Sequence, residues 1–201
     1  SQEYQARICD KEGLIYCIRV VFRSIFHGKN RFLAFITNAG LVLLAPFLGR
    51  YFSLLEMTTE DGALLPEAAD RAVHLLQYLV SGRSETTEDL LVLNKVFCGL
   101  PVETPVSAGI ELTEQEIEVS EFLLKSVLQN WSIMSNSSID NLRGSFLLRA
   151  GKLVEEEDRW LLMVESAAYD IALTSLPWTF SMVMLPWMQK RVEVEWNTQI
   201  T

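Results

Sequence analysis

Near residue 140 the hydrophobic repeat of this chain changes from a helical period to a strand period, and that change limits the fold more than any single motif. Up to that point apolar residues recur at helical spacing. From Asn38, read as an N-cap, "AGLVLLAPFLGRYFSLLEM" predicts a helix or helix pair bent near Pro46, because proline removes a backbone donor and clashes with the preceding turn. Pro66 suits a first helical turn, and Ala69, Val73, Leu76 and Val80 then mark one buried stripe that ends at Gly82. A third helix runs from about Thr87 to Cys98, with Leu90, Leu93 and Phe97 on one side, and "GLP" stops it. Thr113 and Glu116 have capping-box spacing ahead of a long helix that buries Ile117, Leu124, Val127, Leu128, Trp131 and Met134.

Beyond "SNSSIDNLRG" the pattern alternates. "SFLLR" and "DRWLLMVE" read as strands joined through "AGKLVEEE", with Trp160, Leu162 and Val164 on one face and Leu161 and Met163 on the other, as in a strand covered on both sides. Residues 178–196 read as a hairpin: Trp178, Phe180, Met182 and Met184 alternate with their neighbours, "PWMQK" connects, and "RVEVEW" turns Val192, Val194 and Trp196 inward. The expected fold class is α+β, a mostly helical N-terminal half followed by a small antiparallel β-sheet. Residues 1–35 are expected to be an arm or linker, and residues 36–201 one domain, helical over 36–140 and β-rich over 141–198.

Composition removes several function classes. A net charge of −9, from 26 acidic and 17 basic residues, opposes binding to a phosphate backbone, so no nucleic-acid partner is expected. A hydrophobic fraction of 49% with a mean hydropathy of +0.18 is high for a surface that meets only water, which implies contact with a partner. The uncharged stretch "FLAFITNAGLVLLAPFL", residues 32–48, is interrupted by Thr37, Asn38, Gly40 and Pro46 and reads as buried helix rather than a stable membrane span. The chain starts at Ser1 without the features of a signal peptide, and it reads as a piece of something longer.

No catalytic, cofactor-binding or metal site is expected. Three cysteines, Cys9, Cys17 and Cys98, form no CxxC pair, so neither a disulfide framework nor a zinc site is expected and synthesis in a reducing compartment fits. Cys98 and His74 can be drawn together as a thiol hydrolase, but "VFCGLP" has no nucleophile signature and Cys98 reads as a small core residue. The carboxylate run Glu155–Asp158 reads as a solvated turn, since successive residues point in different directions. Asp140 and Arg143 read as an ion pair or a helix-end lock. Trp178 and Trp196 fall on the apolar phase of their strands and read as core. Trp187 lies in the connection, so Pro186, Trp187 and Met188 are the candidate partner contact.

The ordered blocks "NAGLVLLAPFL", "RAVHLLQYLVSG", "LVLNKVFCGLP", "LRGSFLLRAGKL" with "WLLMVE", and "LPWTFSMVMLPWM" with "VEVEW" resemble the C-terminal region of the tape measure proteins of contractile injection systems, over about residues 36–196. These phage-tail-like particles drive an inner tube through a contracting sheath. The resemblance implies a structural assembly protein whose family sets tail-tube length, seated in the tube lumen with its C-terminal part anchored at the baseplate and spike end. It further implies no enzymatic activity and no cofactor. The implied partners are further copies of the chain and the tail tube, baseplate hub or spike proteins. It implies synthesis in the cytoplasm and incorporation into an injection particle. The competing reading is an effector or envelope hydrolase carried by the particle.

Overall fold

The computed structural model describes the backbone of residues 22–26 and 29–196, with side chains from residue 32 onward. Cys9, Cys17 and His27 lie outside the described residues, as does most of the expected arm. Within residues 1–35, Phe22–Phe26 (β1) and Lys29–Ile36 (β2) are paired strands. The second of these has its own alternation: Phe32, Ala34 and Ile36 are buried while Phe35 is exposed.

Helices follow. A 3-10 turn, Ala39–Leu44, leads directly into α1, Ala45–Leu54. Pro46 therefore occupies the first turn of α1, where its missing N–H costs nothing, and starts that helix instead of bending one. Next come α2 (Ala69–Ser81), a 3-10 turn at Glu88–Leu91 running into α3 (Val92–Phe97), and α4 (Glu114–Asn130). Gly82 caps α2 in the left-handed region at φ 71°. The capping box of α4 is formed in both directions: Glu116 N–H donates to Thr113 Oγ1 at 3.2 Å and Thr113 N–H to Glu116 Oε2 at 2.8 Å. Glu121 and Lys125 pair on the outer face at 2.9 Å.

The segment "SFLLR" departs from expectation. Ser138 caps a short helix α5, Ile139–Leu142, accepting from Asn141 N–H at 3.1 Å, and the chain continues as a π-helical turn through Arg143–Leu147. It turns there because Phe146 and Leu147 are buried against the start of the helical layer. A β-carbon on Gly40 would lie 1.8 Å from the Phe146 carbonyl oxygen, so only glycine admits this approach. The strand that the sequence placed at 145–149 is β3, Gly151–Glu155, inside the stretch read as a turn.

Strand β4 (Arg159–Val164) buries Trp160, Leu162 and Val164, whereas Leu161 and Met163 stay half-exposed, so one face is covered and not two. The C-terminal hairpin exists in reduced form. Its first strand β5 is only Met182–Val183, and its second, β6, is Arg191–Trp196. Trp178 sends its indole N–H to the Leu43 carbonyl at 3.1 Å instead of entering a strand. The six strands among the described residues form one sheet in the order β1-β2-β3-β4-β6-β5. β4 and β6 pair in parallel, Leu162 opposite Val194, so the sheet is mixed and not purely antiparallel. A parallel pair needs a crossover, and residues 165–190 supply it.

That crossover is clamped by a buried ion pair. Arg149 donates to Asp170 at 2.6 and 3.0 Å, and Asp170 also accepts from Ala167 N–H at 2.8 Å and from Trp196 Nε1–H at 2.9 Å. The α+β class stands, with the helices mostly in the N-terminal half and packed on the inner face of the sheet. Trp131 closes the core beneath them, fully buried, edge-on to Phe146 and donating to Ser175 Oγ at 2.9 Å. Residues 32–48 are split between β2 and the first helical turns; among the described residues no helix is long and apolar enough to cross a membrane.

Candidate functional site

Among the described residues, the groups that could support chemistry are buried or bonded into the fold. Cys98 is buried at the end of α3 and carries no disulfide, and burial pushes its thiol well above the ordinary cysteine range, which removes the thiolate a nucleophile needs. His74, on α2, does not meet it in any hydrogen bond. Its Nε2 lies 3.0 Å from Ser107 Oγ, in the loop between α3 and α4, a neighbour 33 residues away that no local spacing predicts.

Ser107, His74 and Asp70 have the composition of a catalytic triad and the wrong polarity. Asp70, being a carboxylate, only accepts, and it takes both the Ser107 N–H and the Ser107 hydroxyl proton at 2.8 Å each. Ser107 Oγ is thus left as acceptor toward His74 Nε2–H. A serine nucleophile needs the reverse, with the imidazole accepting and the carboxylate behind it on Nδ1. Here Nδ1 is buried without a partner. The trio ties the loop to the first turns of α2, assisted by Arg71, which bonds the Glu111 carbonyl at 2.8 Å and pairs with Glu116.

The carboxylate run at the β3–β4 turn belongs to a charge lattice. Glu155 meets Lys190 at 2.8 Å, Glu156 meets Arg159 at 2.7 Å, and Asp158 meets Arg191 at 3.0 Å, while Glu193 bridges the two arginines. Among the described residues no group of three or more His, Cys, Asp or Glu is placed to hold a metal ion. Arg143 lies 4.0 Å from Asp140, yet its firmer bonds run to the end of α2, to the Leu79 carbonyl at 3.0 Å and the Tyr78 carbonyl at 3.1 Å. It is a lock on a distant helix end, with its guanidinium 5.4 Å from the Tyr78 ring centre.

The turn at 186–188 is seated on the helical layer. Trp187 donates its indole N–H to the Phe97 carbonyl at 2.7 Å and meets Phe52 edge-on at 5.7 Å; Met188 is buried and Pro186 exposed. Gly99 makes this seat possible. It caps α3 at φ +71°, and a β-carbon there would lie 2.5 Å from the Trp187 carbonyl oxygen. Sequence alternation could not reveal this docking, because both partners come from elements ninety residues apart.

Beside these consumed polar groups, several large apolar side chains stay exposed. Phe122 is 59% and Leu54 45% exposed, and Met182 and Met184 are each more than half exposed. The model of the family described as contractile injection system tape measure protein matches residues 27–196, most of the chain and all of the described helices. The chain belongs to the contractile injection system tape measure protein family. The match starts just before β2, so the tape measure family domain includes that strand, ahead of where the quoted blocks begin. No curated protein and no solved structure matches the chain.

Proposed function

We propose that residues 27–196 form the C-terminal anchor of a tape measure protein, seated in the tail-tube lumen at the baseplate and spike end, where it holds the length-setting part in register with the assembling tube. Family membership associates the chain with the injection particle. The anchor role is supported by one contrast: polar groups of catalytic type are consumed in bonds that hold the fold, whereas large apolar side chains remain on the outside. An anchor needs a rigid body and sticky faces; it needs no reactive group. We infer a non-catalytic domain that associates with further copies of itself and with tube, hub or spike subunits, made in the cytoplasm and carried in the particle.

The deciding experiment is an in-frame deletion of residues 27–196, with tubes measured by electron microscopy. Absent tubes or tubes of scattered length support the anchor. Particles of normal length and number would assign the chain to cargo instead.

A further inference from the structure

The face of the sheet turned away from the helices is apolar, and the strand register orders it into rows. Leu33, Val154, Leu161, Glu193 and Met182 lie opposite one another across β2, β3, β4, β6 and β5. The next row runs Phe35, Lys152, Met163 and Glu195 across β2, β3, β4 and β6. Their neighbours along the strands, Ala34, Leu153, Leu162 and Val192, are buried under the helical layer, so alternation turns both rows outward. Phe35 and Met182 are 48% and 59% exposed, and Leu33, Val154, Leu161 and Met163 are half-buried. A sheet face that meets only water is polar; this one carries six apolar side chains in two adjacent rows.

Two charges on this face identify what covers it. The acids and arginines at the β3–β4 turn neutralise one another, but Lys152 and Glu195 form no hydrogen bond or ion pair among the described residues. They stand in one row on either side of Met163, each one strand from β4 and so roughly 10 Å apart. That arrangement is self-complementary about β4. A two-fold axis along β4 sets Lys152 against Glu195 of a second copy, and Glu195 against that copy's Lys152. The same axis brings Leu161 and Met163 onto their own counterparts and Leu33 of β2 onto Met182 of β5. A partner of one sign would satisfy one of the two free charges and oppose the other; a second copy satisfies both.

We propose that the outer face of the sheet is a two-fold interface between copies of this chain, β4 facing β4, with Lys152 and Glu195 exchanged across it. The helices lie on the far side of each sheet, and the two sheets pack about 10 Å apart. Five strands at about 4.8 Å and five or six residues at about 3.3 Å give a footprint of about 24 by 18 Å, small for a specific interface, so the dimer is weak in dilute solution. The net charge of −9 repels two copies at long range, yet at about 0.15 M salt that repulsion is screened beyond about 8 Å, whereas the exchanged pairs meet at contact distance. This deepens the anchor reading by naming the surface through which copies associate, and it rests on that reading for where in the particle they meet.

The test is sedimentation velocity of the full chain from about 5 to about 500 µM, with circular dichroism melting of every variant as the check on folding. The native chain is expected to pass from monomer to dimer across that range. Met163→Glu sets two carboxylates against each other on the axis and should abolish the dimer. Lys152→Glu and Glu195→Lys should each weaken it about tenfold, because the symmetry repeats every mismatch twice. The double variant Lys152→Glu with Glu195→Lys should return to within about threefold of the native chain, since the exchanged pairs re-form with their signs reversed. Phe122→Glu, on the helical layer, should change nothing. A monomer at every concentration would overturn the proposal. So would a dimer insensitive to Met163→Glu, one lost in Phe122→Glu, or a double variant no better than the single reversals. The two readings fail separately. Normal tubes after deletion of the domain would sink the anchor role without moving the sedimentation result, and a monomer beside deranged tubes would sink only the interface.

Discussion

Replacing Gly99 by alanine tests the seat of the C-terminal turn on the helical layer, and two other glycines serve as built-in controls. Gly62, Gly82 and Gly99 have φ of 78°, 71° and 71°, so alanine meets the same left-handed strain at each, about 1–2 kcal/mol. Their surroundings differ. Nothing lies within 4 Å of a β-carbon at Gly62, and at Gly82 the nearest atom, 3.0 Å away, is Arg143 Nη1, the guanidinium nitrogen outside the bonds that Nε and Nη2 make to the end of α2. At Gly99 it is the backbone oxygen of Trp187 at 2.5 Å, so the turn must recede by about 0.5–0.9 Å to restore a contact of 3.0–3.4 Å. That movement strains or breaks the 2.7 Å bond from the Trp187 indole to Phe97, about 1 kcal/mol, and loosens the edge contact with Phe52, about 0.5–1 kcal/mol more. Gly99→Ala should therefore cost about 2.5–4 kcal/mol in all, against about 1–2 kcal/mol for each control. With about 2–4 °C per kcal/mol for a chain of this size, thermal unfolding followed by circular dichroism should place Gly99→Ala about 3–8 °C below Gly62→Ala. A Gly99→Ala variant that melts with Gly62→Ala would refute the docking of Trp187.

Trp131→Ala should destabilise by about 3–5 kcal/mol in chemical denaturation, because it empties the centre of the core; Trp131→Phe should cost only about 0.5–1.5 kcal/mol for the lost indole hydrogen bond, since the Ser175 hydroxyl still donates to the Ala172 carbonyl. Arg149→Met should cost about 3–5 kcal/mol at neutral pH by leaving Asp170 charged and buried. Burial alone would raise the Asp170 carboxyl, but Arg149 and the Ala167 and Trp196 N–H groups outweigh it and hold it below the usual carboxylate range; Thr113 and Arg71 do the same for Glu116. A depressed folded value means the stabilisation is complete above the unfolded carboxylate range, near pH 4, and is lost as pH falls through the folded value. Acid titration of stability should show this loss below about pH 4 and a smaller loss in Asp170→Asn. Iodoacetamide labelling with peptide mass mapping should leave Cys98 unmodified in the native protein and label it after unfolding, since burial keeps it a thiol.

By itself the sequence determined what is decided within one or two helical turns. The capping box at Thr113 and Glu116, the glycine stops at Gly82 and Gly99, the stripes of α2 and α4 and the alternation of β6 all rest on groups a few residues apart, whose geometry the local backbone enforces. The ordered blocks also carried the family resemblance, because order survives independently of contact. Tertiary structure alone decided where long-range partners outbid local preference. Asn38 starts a helix as expected, yet its amide leaves the cap to bond Asn94 at 2.6 Å and Gln77 at 3.1 Å in the core. Phe146 and Leu147 turn as helix because Gly40 receives them, and β6 lies parallel to β4 because Arg149 and Asp170 hold the crossover. Trp187 turns inward to a carbonyl on α3, and Ser107 joins Asp70 to His74 with a polarity that no spacing encodes. The physical reason is common to all of these. A hydrogen bond or a tight contact between segments far apart in the chain depends on where the whole core places them, and periodicity records only which side of an element faces that core.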